Sequence, residues 1–505
     1  MRFLADDLLE GRETGTRGYD IAAKYVATRF EALGLEPAGS SSWFQHVPLR
    51  RARLVRSRCS ITVLRGSARA ALILEKDFVM GADTYRAETD VTAEVVFAGF
   101  GVTAHELGYD DFDGLDARGK IVAVLSGAPP RFSSTLRAHY SNSRVKDANL
   151  AAHGAVGVII IRTPTDERRS PWERVVRGTR LSPMRWLDER GIPDGVQPEL
   201  RCQATLDRRG AATLFQSGPR TLDQVFRGIE DGKPMGFALP MRLRMRRASR
   251  HENASSPNVA GLLRGSDPRL RNEVVVYSAH LDHLGIGQPM EGDSIHNGAF
   301  DNATGSAALI EVAAAFARMR ERPRRSILFL AVTGEEKGLQ GSSYFVRHPT
   351  VAAESLVANV NMDMYVMAGR LRELIAYGAE HSTLANPVAR AAMRLGLKVV
   401  PDPSPDEVVF VRSDQYAFVR AGVPALFIVG HPGPEGADRM RNWRIHTYHT
   451  PQDDMRQAMD FESLAQFARA NWLVGWIVAN QTPRPSWNPG DFFGERFGRN
   501  RPAGH

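Results

Sequence analysis

Past Asn258 the chain alternates between two hydrophobic periods. The runs EVVVYSA, SILFLAV, SLVANVNM, ELIAYG and PALFIVG are short and apolar nearly throughout, the pattern of strands covered on both sides. Residues 305–319, 341–348, 383–395 and 461–480 repeat their apolar positions at helical spacing, and the last places Trp472 and Trp476 four residues apart. This alternation predicts an α/β fold: a doubly wound, mostly parallel mixed sheet with helices on both faces.

Residues 1–36 read as helical, with Asp20 the expected cap of a helix that puts Ala22, Val26, Phe30 and Leu33 on one face and stops at Gly34. A loop then leads into a β-like pattern over residues 51–74. From about Asp90 to Pro240 the character changes. AEVVFAGFGV and IVAVLSG are strand-like, ELGYDDFDGLDARGK is turn-rich, and one helix is expected near residues 149–153 before GAVGVIII. Short strands with glycine turns predict a compact, mainly β accessory module inserted into the main domain, with PMRLRMR as the return strand. The expected division is 1–80 and 246–482 for the main domain, 81–245 for the insert, and 483–505 for a tail rich in proline, glycine and aromatics.

At 505 residues with 43% hydrophobic positions, the chain can bury more than one core. Its formal charge of +8 raises the question of nucleic acid. The basic residues are spread among acidic ones, however, with no zinc-finger spacing or RNP-like aromatic run, so no nucleic-acid partner is expected. No apolar run reaches the roughly 18 residues of a membrane span, and no stable membrane insertion is expected. The opening MRFLADDLLEGRE lacks the apolar core of an export signal. The only cysteines, Cys59 and Cys202, make neither a thiolate metal site nor a disulfide scaffold, and whether they pair is left to the fold.

Candidate chemistry sits where predicted strands end. His280 and Asp282 alternate after VVVYSA, Asp301 opens DNATG before a helix, Glu335 and Glu336 follow SILFLAV, Asp363 follows SLVANV, and His449 lies in the loop after PALFIVG. Taken singly, most have a bland reading: a lone His-x-Asp is more often a hydrogen-bonded histidine, and Asp301 more simply a helix cap. An acid pair at the end of a central strand is different, because burying it requires a cation or a proton. Together His280, Asp301, Glu336, Asp363 and His449 are two imidazoles and three carboxylates, an N/O set suited to zinc. That exceeds what a single four-coordinate zinc uses while keeping a position open for water, whereas two ions sharing a carboxylate use it well. His446 and His431 compete with His449 and rank below it, since nothing around them suggests a fixed position.

These motifs, in this order, resemble those of the M28 family of zinc peptidases. The resemblance rests on AHLDHLG, DNATG, GEEKG, NMDM and YHTPQDD. It extends to LEGRETGTRGYDIAAKYVATRFEALGLEP and, around residues 150–161, to an inserted protease-associated (PA) domain. It implies two Zn2+ ions bridged by Asp301, with His280 and Asp363 on the first and Glu336 and His449 on the second. It also implies Glu335 as general base, Asp282 as an aspartate supporting the site from behind its ligands, and Tyr448 as a hydrogen-bond donor to a developing oxyanion. His283 departs from the serine that many members carry there. Directly following Asp282 on a continuing strand, it is expected to point elsewhere and not to bind metal.

The function the resemblance implies is removal of residues from peptides with a free N-terminus, Glu335 taking a proton from the attacking water and returning it to the leaving amine. The PA-like insert favours the aminopeptidase type. A glutamate-type carboxypeptidase or dipeptidase, which needs cationic groups such as Arg412 for a terminal carboxylate, is the alternative. A single-zinc glutaminyl cyclase-like enzyme and a non-catalytic receptor-like module stand behind it. The insert would either narrow access to the cleft or take part in a homodimer interface, and a periplasmic or secreted location is what the resemblance implies.

Overall fold

The computed structural model describes residues 1–229, 232–233, 235–366, 369–431 and 433–498, so residues 499–505 of the expected tail lie outside the described residues. The chain divides into two compact units: Met1–Leu49 with Ala254–Pro405 and Val409–His505, and Arg50–Asn253 with Asp406–Val408.

In the first unit the five apolar runs form strands. Ser326–Val332, Val274–His280, Leu356–Asn361 and Ala425–His431 lie side by side in that order, all parallel. Antiparallel neighbours flank them, residues 259–263 beside Ser326–Val332 and Glu373–Tyr377 beside Ala425–His431. The sheet is therefore mixed and mostly parallel. Every residue of Val274–His280 and Ser326–Val332 is buried, which explains why these runs show no polar alternation.

Helices Arg17–Ala32, Thr304–Ala317, Ala385–Arg394 and Phe461–Asn480 form one packed group, and Gln340–Arg347 packs on Gln415–Arg420. Tyr277 at the centre of the sheet donates its hydroxyl to the Asn471 carbonyl at 2.8 Å. A Cβ on Gly475 would lie 1.8 Å from that hydroxyl oxygen, so only glycine lets the last long helix come this close. Trp472 and Trp476 stack with ring centroids 6.4 Å apart, as their spacing predicts.

The N-terminal helix differs from expectation. Thr16, whose hydroxyl accepts from the Tyr19 N–H, is its cap, and Asp20 sits inside the first turn. Residues 1–36 are not one helix either, because left-handed dihedrals at Glu10 and Gly11 break Asp7–Arg12 into a short irregular 3-10 segment.

The second unit begins at Arg50 rather than at residue 81, because Ser60–Arg65 and Ala68–Leu72 form a hairpin whose first strand pairs with residues 242–246 of the same sheet. Glu88–Ala98, Ile121–Leu125, Gly157–Ile161 and Cys202–Leu206 run parallel in that order. Ser143–Ala152 supplies the helix expected near residues 149–153, but the expectation of few helices is corrected, since Ser134–Ser141, Arg208–Phe215 and Leu222–Gly228 are helical as well. Their polar composition hid them, although the Thr221–Gln224 capping box can be read from TLDQ. Both cysteines are free thiols. Among the described residues no helix is long and apolar enough to cross a membrane.

Candidate metal centre

Four of the site residues stand at or just past the carboxyl end of a strand in the first unit, and two come from the turns beyond. His280 closes Val274–His280, Glu335 and Glu336 follow Ser326–Val332, and Asp363 follows Leu356–Asn361. His449 comes after Ala425–His431 and the helix Gly433–His446, and Asp301 lies in the irregular turn Ala299–Ala303 that leads into Thr304–Ala317. Parallel strands bring these ends to one edge of the sheet.

There Asp301 is shared. Its Oδ1 lies 3.2 Å from His280 Nε2 and its Oδ2 lies 3.1 Å from His449 Nε2. His280 Nε2 is also 3.0 Å from Asp363 Oδ1, and His449 Nε2 is 3.2 Å from Glu336 Oε2. Donor atoms of His280, Asp301 and Asp363 all fall within 4.8 Å of one another, as do those of His283, Asp301 and Glu336. The two groups meet at Asp301, the layout of a bridged pair of metal sites.

His283 corrects the sequence expectation. The strand ends at His280, so the alternation that was to turn His283 away has already stopped. Its N–H bonds to the Arg12 carbonyl at 3.2 Å, and its buried ring puts Nδ1 2.7 Å from Glu336 Oε1. The competitors of His449 are elsewhere: His431 Nδ1 lies 2.8 Å from Glu373 Oε2, and His446 is exposed at a helix end.

Asp282 acts on two elements by two groups. Its backbone carbonyl is 3.1 Å from His280 Nδ1, whereas its carboxylate is 4.0 Å from that nitrogen. The carboxylate accepts from Thr14 Oγ1 at 3.1 Å and from the N–H groups of Glu335 and Glu336 at 3.1 and 3.3 Å. It thus orients a ligand through the main chain and holds the acid pair through the side chain. Tyr448 is half-buried, its ring stacked on His449 at 3.8 Å. Burial, reinforced by Asp301, keeps its hydroxyl protonated well beyond the usual tyrosine range.

Burial opposes ionisation of all three acids. Glu335 yields to it: its carboxyl is pushed well above the usual range, with His280 offsetting only part and Asp363 and Glu336 adding to the rise. Glu336 does not, because His449 and His283 hold it well below the usual range. Burial and Glu336 also push Asp301 up, but bonds from His280 and His449 outweigh them and lower it. The carboxylates in turn overcome burial at His449 and raise its ring to about 10. The site therefore demands positive charge between its acids, which protonated imidazoles supply or which a bound dication supplies with the rings neutral.

Several supporting residues escaped the sequence analysis. Ser413 donates to Asp363 Oδ2 at 2.5 Å and receives Asn361 Nδ2 at 2.8 Å. Asp453 accepts the N–H groups of Phe300 and Asp301, each at 3.0 Å. Arg12, 1% exposed, donates to the carbonyls of Leu281 at 3.0 Å, Asn297 at 2.5 Å and Gly298 at 3.1 Å. Arg12 and Asp453 lie inside the motifs LEGRETG and YHTPQDD, where a charged residue beside recognised site positions was the available signal.

Fold and site together define an α/β protein with a two-metal carboxylate–imidazole centre at the carboxyl edge of a mostly parallel sheet. The sequence pattern of peptidase family M28 matches residues 258–474 of the chain. A probable zinc metalloprotease of Pyricularia oryzae is 25% identical over 261 residues, 45% of this chain and 50% of its own length. One of Pyrenophora teres f. teres is 24% identical over 263 residues, 45% of this chain and 52% of its own. The chain thus spans about half the length of the curated relatives it matches. Among solved structures, an aminopeptidase from Aneurinibacillus sp. strain AM-1 superimposes with a TM-score of 0.55 at 18% identity, covering 95% of this chain and 94% of its own, a likeness of fold.

Proposed function

We propose that this protein is a two-zinc exopeptidase that removes residues from the free N-terminus of peptides. The observation that carries this reading is the division of Asp301, one oxygen toward His280 and the other toward His449. His280, Asp301 and Asp363 would hold one zinc, and Asp301, Glu336 and His449 the other. Nitrogen and oxygen donors without thiolate suit that metal, and the buried Glu336 Oε1 and His283 ring nitrogens, which have no hydrogen-bond partner, suit a cation at this place. When bound, the pair supplies Lewis acidity that polarises a carbonyl and lowers the pKa of water.

The protein's own groups do the rest. Glu335, beside the ligands and held in place by Asp282, takes the proton of the attacking water and returns it to the leaving amine. Its raised proton affinity suits that work. Tyr448 donates to the oxygen that becomes negative as the carbonyl is attacked. The fungal relatives bear the name probable zinc metalloprotease, and the structural neighbour the name aminopeptidase, which supports both the metal and the free-amine reading. We read the second unit as a PA-type insert, on the resemblance around residues 150–161, which fold here as the end of helix Ser143–Ala152 leading into strand Gly157–Ile161.

One observation favours a second reading. Arg412 is exposed and lies close enough to Tyr448 to act on its hydroxyl, where a cation would welcome a substrate carboxylate. The deciding experiment is hydrolysis of aminoacyl-p-nitroanilides beside N-blocked dipeptides, with an EDTA-treated control. Chelator-sensitive cleavage of free-amine substrates alone is expected; cleavage of the blocked dipeptides alone would make the enzyme a carboxypeptidase.

A further inference from the structure

The second site has one more donor than its three assigned ligands. His283 is 0% exposed, and neither of its ring nitrogens has a hydrogen-bond partner. Its Nδ1 instead faces Glu336 Oε1 at 2.7 Å, a close pairing of an imidazole with a carboxylate already directed toward His449. A buried imidazole whose ring nitrogen is directed at a carboxylate within a cluster of further acids is placed as metal ligands are placed. A donor of His283 falls within 4.8 Å of donors of both Asp301 and Glu336, the residues that already face His449. The rings of His283 and His449 stand edge to face with centroids 5.8 Å apart, a spacing at which two imidazoles can reach one ion.

The ring is also fixed in place. A Cβ added to Gly298 would lie 2.6 Å from His283 Cγ, so the backbone of that loop closes directly against it. On the other side the His283 N–H is tied to the Arg12 carbonyl, while the Arg12 guanidinium bonds the Gly298 and Leu281 carbonyls. A ring packed against main chain on one side, on a backbone that is itself tied down, is arranged as a ligand is, before the ion arrives.

We propose that His283, through Nδ1, is a ligand in the second metal site, which then comprises Asp301, Glu336, His449 and His283. This rests on the two-metal reading and deepens it. The two sites become unequal: the first, with His280, Asp301 and Asp363, keeps a position open, whereas the second is closed by four protein donors. The second site holds its ion more tightly, and chelators empty the first before it.

The test titrates metal-free full-length protein with zinc against a competing chelator and, separately, with Co2+ read by visible absorption. Wild type is expected to bind two ions with distinct affinities. His283→Ser is expected to weaken the tighter one by about a hundredfold or more, beyond the usual cost of losing an outer hydrogen bond, and to alter its Co2+ spectrum. His283→Gln, closer in size, is measured alongside with thermal melts of the metal-free proteins, so that a folding failure in one variant leaves the other to decide. An unchanged Co2+ spectrum in the folded variant overturns the proposal even if affinity falls, since His283 then only positions Glu336. Wild type binding fewer than two ions would instead sink the two-metal reading itself.

Discussion

Glu13 holds the Lys337 ammonium at 2.8 Å, across 324 positions of sequence, with the Lys337 side chain 2% exposed. Lys337 directly follows the acid pair Glu335 and Glu336, and Glu13 directly follows Arg12, so the contact joins the N-terminal segment to the loop that carries the chemistry. Thr14, on Asp282, makes a second such contact. Glu13→Gln keeps the shape and removes the charge. It is expected to cost roughly 1.5–3 kcal/mol by denaturant unfolding, the usual worth of a charge-assisted bond in a partly buried setting, and to lower turnover by freeing the loop.

Glu335→Gln separates catalysis from metal binding. Glu335 is not needed to complete either group of donors, so zinc content by mass spectrometry should stay at the wild-type value. Turnover should fall by roughly 10²–10⁴, the contribution of a positioned general base. Wild-type activity in this variant would remove Glu335 from the mechanism.

Ser413 reaches the reaction only through Asp363. Ser413→Ala deletes the bond to Asp363 Oδ2 and frees that carboxylate to rotate. A loss of about 10–100-fold in zinc affinity at the first site is expected, with stability of the metal-free protein changing little. A competition titration with a chromophoric chelator measures it.

Zinc that binds only the native state must also stabilise it. Chelation should lower Tm along with activity, and zinc should restore both. At a free zinc concentration a thousandfold above Kd the stabilisation is about 4 kcal/mol per site. Asp301→Asn, which weakens both sites at once, should abolish most of this zinc-dependent rise in a melting experiment.

Lys146 gives a pH signature within the second unit. Its ammonium donates to the Phe100 and Leu125 carbonyls at 2.7 Å each, and burial lowers its pKa from 10.5 to about 8. The folded value lies below the unfolded one, so between pH 8 and 10.5 the unfolded chain binds more protons and stability rises with pH. Below pH 8 the full penalty, about 3 kcal/mol, is present. Relative to Lys146→Met, wild type should gain stability across that window. Parallel pH profiles of the two proteins would contradict the assignment.

The apolar runs were legible because strands buried on both faces need continuous hydrophobicity, and SILFLAV became Ser326–Val332 without a shifted residue. The donor types were legible because paired acids after such strands have few other uses. Of the polar helices in the second unit, the end of Ser143–Ala152 was legible near residues 149–153, whereas Ser134–Ser141 was not, since it carries little apolar periodicity and is specified by caps and packing.

The order of residues alone specifies a mostly parallel sheet with imidazoles and carboxylates delivered to its carboxyl edge. Both follow from local rules: the period of hydrophobic positions sets the element, and residue chemistry sets what can be bound. Long-range packing is what brings His449 rather than His431 or His446 into the site, turns His283 in beside Glu336, and closes the site with Arg12 and Glu13 from the far end of the chain. These are properties of loops, whose paths no repeating period prescribes and which are settled by contacts between residues hundreds of positions apart.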